Sequence, residues 1–312
     1  MHLAPATPAV ARLNRLSAPL RGALWMCGAV AAFAVMINLV RHLTLTFDPL
    51  QVVFFRNAFG LIAMLPWLTR GGLGGLRTRR IGVHLARAAV GMAAMVLWFT
   101  TLSLMPLAEA TALSFTAPMF TSVLAVLFLG EVMRARRWSA IGIAFLGGLV
   151  IIRPGAQAID PVALLAVATS LTWAGGTILV KMMARTETAG AIVTWQTLLL
   201  TPLSLIPALF VWVAPDPGQL LWLGLLGVAG SIGHLCMARA LASADATVVV
   251  PFDYLRLPLV ALIAFLAFGE TPDVWTWIGG GIIAASGIYL AHRESRVGSV
   301  APPTAGSPAA QV

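Results

Sequence analysis

The sequence predicts an all-α integral membrane protein with ten transmembrane helices arranged as an inverted 5+5 repeat. Three observations predict it. Hydrophobic residues make up 59% of the 312 and charged residues 10%, with a mean hydropathy of +0.92. That mixture holds too little polar material to cover a water-soluble surface. The apolar residues fall into ten stretches, each near the ~20 residues a helix needs to cross a ~30 Å hydrocarbon core. The second five stretches echo the first five.

The stretches predict helices over 22–40, 50–68, 82–104, 107–129, 138–153, 161–182, 190–213, 219–241, 246–268 and 274–291. Turn chemistry separates them. Asp48-Pro49, the glycine tract 71–75, Met105-Pro106, Arg153-Pro154-Gly155 and Asp160-Pro161 punctuate the first half. Pro215-Asp216-Pro217-Gly218 and residues 269–273 punctuate the second. The fifth stretch is short, so it either tilts little or runs past Arg153. Residues 1–20 carry Arg12 and Arg15 without an apolar segment and read as a tail rather than a signal peptide. Residues 293–312, rich in Pro, Ala and Ser, read as a disordered tail. Two five-helix units lie between, 21–154 and 160–292.

The net charge of +9 is a topology signal. With the N-terminus inside, the basic residues of the tails and of the even-numbered connections, such as Arg77, Arg79, Arg80, Arg134, Arg136 and Arg185, face the cytoplasm. Only Arg41 and Arg153 fall outside. This asymmetry places both termini in the cytoplasm. It also suits anionic headgroups, and no aromatic-interleaved basic patch of the nucleic-acid type occurs. Cys27 and Cys236 each lie alone in an apolar stretch and read as small packing residues. The chain has no GxxxxGK[ST] motif for ATP, no HExxH, no metal-spaced His/Cys cluster and no GxSxG elbow. No cofactor, metal site or enzyme chemistry is expected. A channel is disfavoured because charge rings and a repeated filter are lacking.

A shift of 140 residues sets Phe33 on Trp173, Arg41 on Lys181, Phe55 on Trp195 and Arg56 on Gln196. AEATAL at 108–113 matches ADATVV at 244–249, and LFLGE at 127–131 matches LAFGE at 266–270. Trp138, Gly142 and Gly148 fall on Trp277, Gly281 and Gly287. Five helices per copy is an odd number, so the second copy crosses the membrane inverted. Such repeats suit secondary transport, with the substrate site between the halves near the midplane.

At AEATALSFTAPMFTSVLAVLFLGE, its partner ADATVVVPFDYLRLPLVALIAFLAFGE and the Trp/Gly-rich helices that follow, the chain resembles the drug/metabolite transporter superfamily, and within it the proteins with two EamA domains. The likeness covers essentially all of 20–292. It implies a bacterial inner-membrane carrier of small metabolites, with helices 1–4 and 6–9 around a central cavity and helices 5 and 10 peripheral, at a homodimer contact. Amino-acid exporters, riboflavin carriers and exporters of opine-type metallophores belong to that group.

Ionisable groups in hydrocarbon cost ~2.5–3.5 kcal/mol at a helix centre, so they persist where they meet a cavity or a partner. Arg256 and Asp253 are spaced i,i+3 on the ninth stretch, bracketed by Pro251 and Pro258. They read either as a charged, distorted segment lining the cavity or as a packing ion pair. Arg56 reads either as a fork for a carboxylate or phosphate across that cavity, or as a cation snorkelling outward. Tyr254, Trp173, Trp98 and Trp195 are stacking candidates, Trp173 first. Gln196 and Asn38 are buried polar groups that need partners. Glu109, Arg87 and His234 are relay candidates, with helix-end placement the simpler reading of Glu109 and a helix–helix contact that of His234. His84 and Arg87 sit where snorkelling is feasible. Asp245 reads as a helix-end charge, and Glu131 and Glu270 as structural residues after the two GE turns.

The cargo expected from three intramembrane arginines and few free carboxylates is an anionic amino acid or amino-acid-derived compound, exported by alternating access. Riboflavin uptake is the alternative, because an aromatic cavity can stack an isoalloxazine. The topology makes the first prediction. Cysteines placed in 156–159 and 215–218 will react with an impermeant thiol reagent from outside the cell, and labelling of either loop only from the cytoplasm overturns the topology.

Overall fold

A computed structural model describes residues 17–71, 78, 80–130, 135–153, 160–183, 187, 189–243 and 250–298. The described chain is helical throughout its elements: α1 (Ala18–Leu43), α2 (Pro49–Gly71), α3 (Ile81–Leu104), α4 (Leu107–Ser114), α5 (Ala117–Leu129), α6 (Ala135–Ile152), α7 (Pro161–Met183), α8 (Ala189–Phe210), α9 (Pro217–Ser243), α10 (Arg256–Phe268, preceded by a 3-10 segment, Val250–Leu255) and α11 (Val274–Gly298). Among the described residues, five segments meet the length and hydropathy of a full membrane span, and four shorter helices are also apolar.

The structure interrupts two spans at matching places, the fourth against the sequence expectation and the ninth where Pro251 and Pro258 point to a distorted segment. The fourth span is not one helix: it breaks between α4 and α5 at Phe115 and Thr116, just before Pro118. Pro118 has no N–H for the Ser114 carbonyl four residues back and its ring crowds that carbonyl, and the chain at Phe115 and Thr116 tightens into i→i−3 bonds to Ala112 and Leu113. The ninth span is also interrupted, a 3-10 turn giving way to α10 at Arg256, with Pro258 in the first turn. The 3-10 rise of ~2.0 Å stretches Val250–Phe268 to about 31 Å, enough to cross hydrocarbon. Both broken spans then end identically. Gly130 and Gly269 adopt left-handed backbone at φ 66° and 71°, the conformation that closes a helix and that glycine adopts without a Cβ penalty. The duplicated GE motif is therefore a duplicated helix stop.

The fifth helix extends backward to Ala135 rather than past Arg153, whose N–H makes a last helical bond to the Leu149 carbonyl (2.8 Å) and whose left-handed φ of 50° ends it. The last helix runs to Gly298, so residues 293–298, expected in the disordered tail, are helical. Glu131, Asp245 and the loop 156–159 lie outside the described residues.

Packing follows the repeat. Exchanging the halves carries the α1–α9 contact onto α7–α3, α2–α9 onto α8–α3, and α10–α1 onto α5–α7, while α2–α8 and α6–α11 map onto themselves. The fully buried core gathers toward the end of the bundle that holds Arg41. It includes Ile37, Val40 and Leu43 of α1, Val52 and Val53 of α2, Phe99 and Leu102 of α3, Leu107 and Leu113 of α4, and Leu223 and Leu226 of α9. Exposed apolar residues such as Leu127, Phe128, Phe210 and Leu266 face the lipid, where no polar cover is needed.

The self-symmetric α6–α11 contact is the closest backbone approach. A Cβ at Gly279 would meet the Gly147 carbonyl at 2.5 Å and Ile151 Cγ1 at 2.5 Å, whereas one at Gly281 would meet nothing within 4 Å. Overpacking a tight contact costs ~1–3 kcal/mol. Gly279→Ala will therefore lower the thermal aggregation temperature in detergent, and Gly281→Ala will leave it unchanged; equal effects would remove the contact as the cause.

Candidate functional site

Two polar centres lie within the spans. The first joins the two broken spans at their breaks. Arg256 Nη2 lies 3.1 Å from Asp253 Oδ2, as the i,i+3 spacing predicted. The guanidinium carbon also sits 5.2 Å over the Phe115 ring. Phe115 meets Tyr254 edge-on at 4.9 Å. Arg256 is thus met by a carboxylate on one side and a π face on the other, although its Nε is buried without a hydrogen bond.

The second centre lies among α2, α3, α8 and α9. Arg56 is only 8% exposed, so it does not snorkel. It enters α2 about 10 Å from the helix start. Its Nη1 donates to Asn57 Oδ1 at 3.2 Å, and Asn57 is held against Met95 Sδ at 3.4 Å. Arg56 Nε is buried with no partner. Room for the guanidinium comes from Gly230, where a Cβ would sit 3.1 Å from Nε and 3.2 Å from Nη2. Arg87 does not snorkel either. Its Nη1 donates to the Gly176 carbonyl at 3.2 Å, and its Nη2 donates to Gln196 Oε1. His234 packs edge-on against Phe33 at 5.1 Å and lies within electrostatic range of both Arg56 and Arg87. Among the described residues neither arginine has a carboxylate partner. Charge in hydrocarbon without a counter-ion marks a functional site by default.

The face of α3 continues this centre in both directions. His84, Arg87, Gly91, Ala94, Trp98 and Thr101 recur at intervals of three and four and so share one side. Trp98 is half-buried against the core. Trp173 is 52% exposed but lies about 200° round α7 from Leu171, away from the exposed apolar stripe of Leu164 and Leu171. Asn38 donates to its own helix at Ala34 (2.9 Å) and leaves Oδ1 buried without a partner. Glu109 lies in the first turn of α4 without a capping hydrogen bond; the N–H of Leu107 bonds Glu270 Oε2 instead, at 3.0 Å. A cleft of about 350 Å³ between α1 and α10 is lined by Cys27, Val30, Leu255, Pro258, Leu259 and Leu262. It is apolar and holds none of these groups.

Glu187, which nothing in the sequence singled out, closes the other end of α3. Its carboxylate accepts from Thr78 Oγ1 and meets His84 Nε2 at 2.5 Å. The Trp195 ring lies 5.7 Å from that of His84. The pairing crosses 103 positions in sequence, so no local pattern announces it. Burial pushes the Glu187 carboxyl up, but the bonds from Thr78 and His84 and the charges of His84 and Arg80 outweigh it and hold the group below its ordinary value. A depressed folded-state pKa gives stability that is present above the unfolded value of ~4.3 and is lost as pH falls through the folded value. Glu187→Gln will melt below the parent at pH 6–7, and the gap will narrow below about pH 4. A gap independent of pH would assign the effect to packing.

Ten spans in two like halves, interrupted where they meet, with cations held in hydrocarbon, define a multi-pass membrane transporter. The chain belongs to the EamA-like transporter family, which matches residues 20–153 and 160–291. Over 284 residues it is 33% identical to a riboflavin transporter of Vibrio cholerae, covering 89% of this chain and 95% of that one. It is 28% identical to an S-adenosylmethionine uptake transporter of Rickettsia prowazekii, covering 91% and 96%. It is also 28% identical to a pseudopaline exporter of Pseudomonas aeruginosa, covering 88% and 96%. These relatives bear the names of transporters, not enzymes.

Proposed function

We propose that the protein is a secondary carrier of the bacterial inner membrane, with both termini cytoplasmic, that takes up a flat heterocyclic metabolite edged with hydrogen-bond acceptors. Riboflavin is the first candidate. One observation carries this reading: Arg56 is buried with an unpartnered Nε, beside His234 and Arg87, with no carboxylate partner among the described residues. Arg87 also has a buried Nε without a hydrogen bond, but both of its Nη groups are bonded, to Gly176 and Gln196, whereas Arg56 bonds through Nη1 alone among the described residues and so has more donors to spare. Carbonyl and ring-nitrogen acceptors suit a guanidinium fork, and Phe33, Trp98 and Trp173 supply flat surfaces. The riboflavin relative supports the same cargo. A sulfonium cation such as S-adenosylmethionine suits two arginines poorly.

A second reading keeps the same site for an anionic amino-acid derivative moving outward. Two arginines favour negative groups, and the pseudopaline exporter is a relative of that kind. Asp253, Arg256 and Tyr254 belong in either reading to the junction of the broken spans, which would move during alternating access, while Asn38 and Gln196 serve as polar wall. The carrier runs downhill or on the proton gradient, since no ATP motif exists.

Expression in a riboflavin auxotroph decides between the readings. Growth on low riboflavin with uptake of labelled vitamin supports the first. No uptake, together with intracellular build-up of an anionic metabolite in a deletion strain, supports the second. Arg56→Lys keeps the charge but loses the fork. Losing one hydrogen bond to a charged group, ~1.5–3 kcal/mol, will raise KM about 10-fold or more at normal expression. Unchanged kinetics would remove Arg56 from cargo recognition.

A further inference from the structure

We propose that Arg41 and Glu270 form a latch that closes the cavity at their end of the bundle, and that breaking it is a required step of transport. The inference rests on the alternating-access reading and not on the identity of the cargo.

One guanidinium and one carboxylate tie four elements together. Arg41, in the last turn of α1, donates through Nη1 to the carbonyls of Ser103 (2.5 Å) and Leu102 (3.3 Å) at the end of α3. Its Nη2 faces Glu270 Oε1 at 3.1 Å, an ion pair whose angle falls short of a hydrogen bond. The other oxygen of Glu270, just past α10, accepts the N–H of Leu107 at the start of α4. There a carboxylate also meets the positive end of the helix dipole. The side chains are 23% and 19% exposed, so water screens them only in part.

The position of this network makes it a latch rather than an ornament. It joins α1 and α3, which belong to the walls of the cavity, to both interrupted spans, whose breaks touch at Phe115 and Tyr254. The buried core thickens at the same end. The internal repeat supplies the same residue types a second time, setting Lys181 on Arg41 and Glu131 on Glu270. The Arg153–Asp273 pair at 2.7 Å joins only the peripheral α6 and α11 and has no such reach.

Thr101 reports on the latch. It is fully buried, on the face of α3 that carries Arg87. In a chain with Cys27 and Cys236 replaced, Thr101→Cys would be labelled by a membrane-impermeant maleimide in vesicles of both orientations. The parent will label slowly from the side that bears Arg41. Arg41→Gln and Glu270→Gln will each raise that rate by about fivefold or more, the lower bound of a typical coupling between two states. The double variant will label no faster than the singles, because one latch breaks once. Arg153→Gln will leave the rate unchanged. Unchanged labelling in both single variants overturns the proposal. So does an equal rise in Arg153→Gln, which would indicate general loosening. Elution of each variant as a single peak in detergent separates opening from misfolding. A failed riboflavin assay beside a positive labelling result would sink the cargo and spare the latch.

Discussion

A guanidinium cannot shed its charge to enter hydrocarbon, and the interior of this protein is arranged around that constraint. Arg56 and Arg87 are each given backbone or amide acceptors, and each is given space by a glycine on a neighbouring helix, Gly230 and Gly176 respectively. The same stripe on α9 admits other partners. A Cβ at Gly227 would strike Phe59 at 2.5 Å, and one at Gly233 would strike the Phe33 ring at 2.6 Å. Small residues let helices approach where lipid offers no hydrophobic drive between them. Here they do so in order to seat a cation, and the close packing of α1 and α2 on α9 comes with it.

The inverted repeat is the second organising fact, and its asymmetries are as informative as its matches. Arg56 and Gln196 occupy equivalent positions, yet one is charged and the other accepts a bond from Arg87. Phe33 and Trp173 are equivalent, yet Phe33 is buried against His234 while Trp173 is half-exposed. Two halves of one fold thus carry different chemistry at equivalent positions.

The architecture was legible because hydrocarbon imposes coarse rules. Span length, turn chemistry and the repeat all follow from satisfying backbone groups without water, and Asp48-Pro49 or Pro215-Asp216-Pro217 announce their turns. The interruption of the ninth span was signalled by Pro251 and Pro258, and the Arg256–Asp253 pair by its spacing. The break at Phe115 was not foreseen, although Pro118 stood in the sequence, because the apolar run through it is unbroken. Long-range pairings left no trace. Glu187 with His84 and Glu270 with Leu107 each join distant positions, and a single sequence carries no record of such contacts.

The contact between Gly147 and Gly279 has a consequence for motion. The α6–α11 pair takes one helix from each half and maps onto itself when the halves are exchanged. A Cβ at Gly279 would meet both the Gly147 carbonyl and Ile151, and one at Gly147 would meet both the Gly279 carbonyl and Ile283, so the contact runs over at least a full turn of each helix. The separation of the two halves is held along this seam, and any change in their relative position is taken up by spans farther from it.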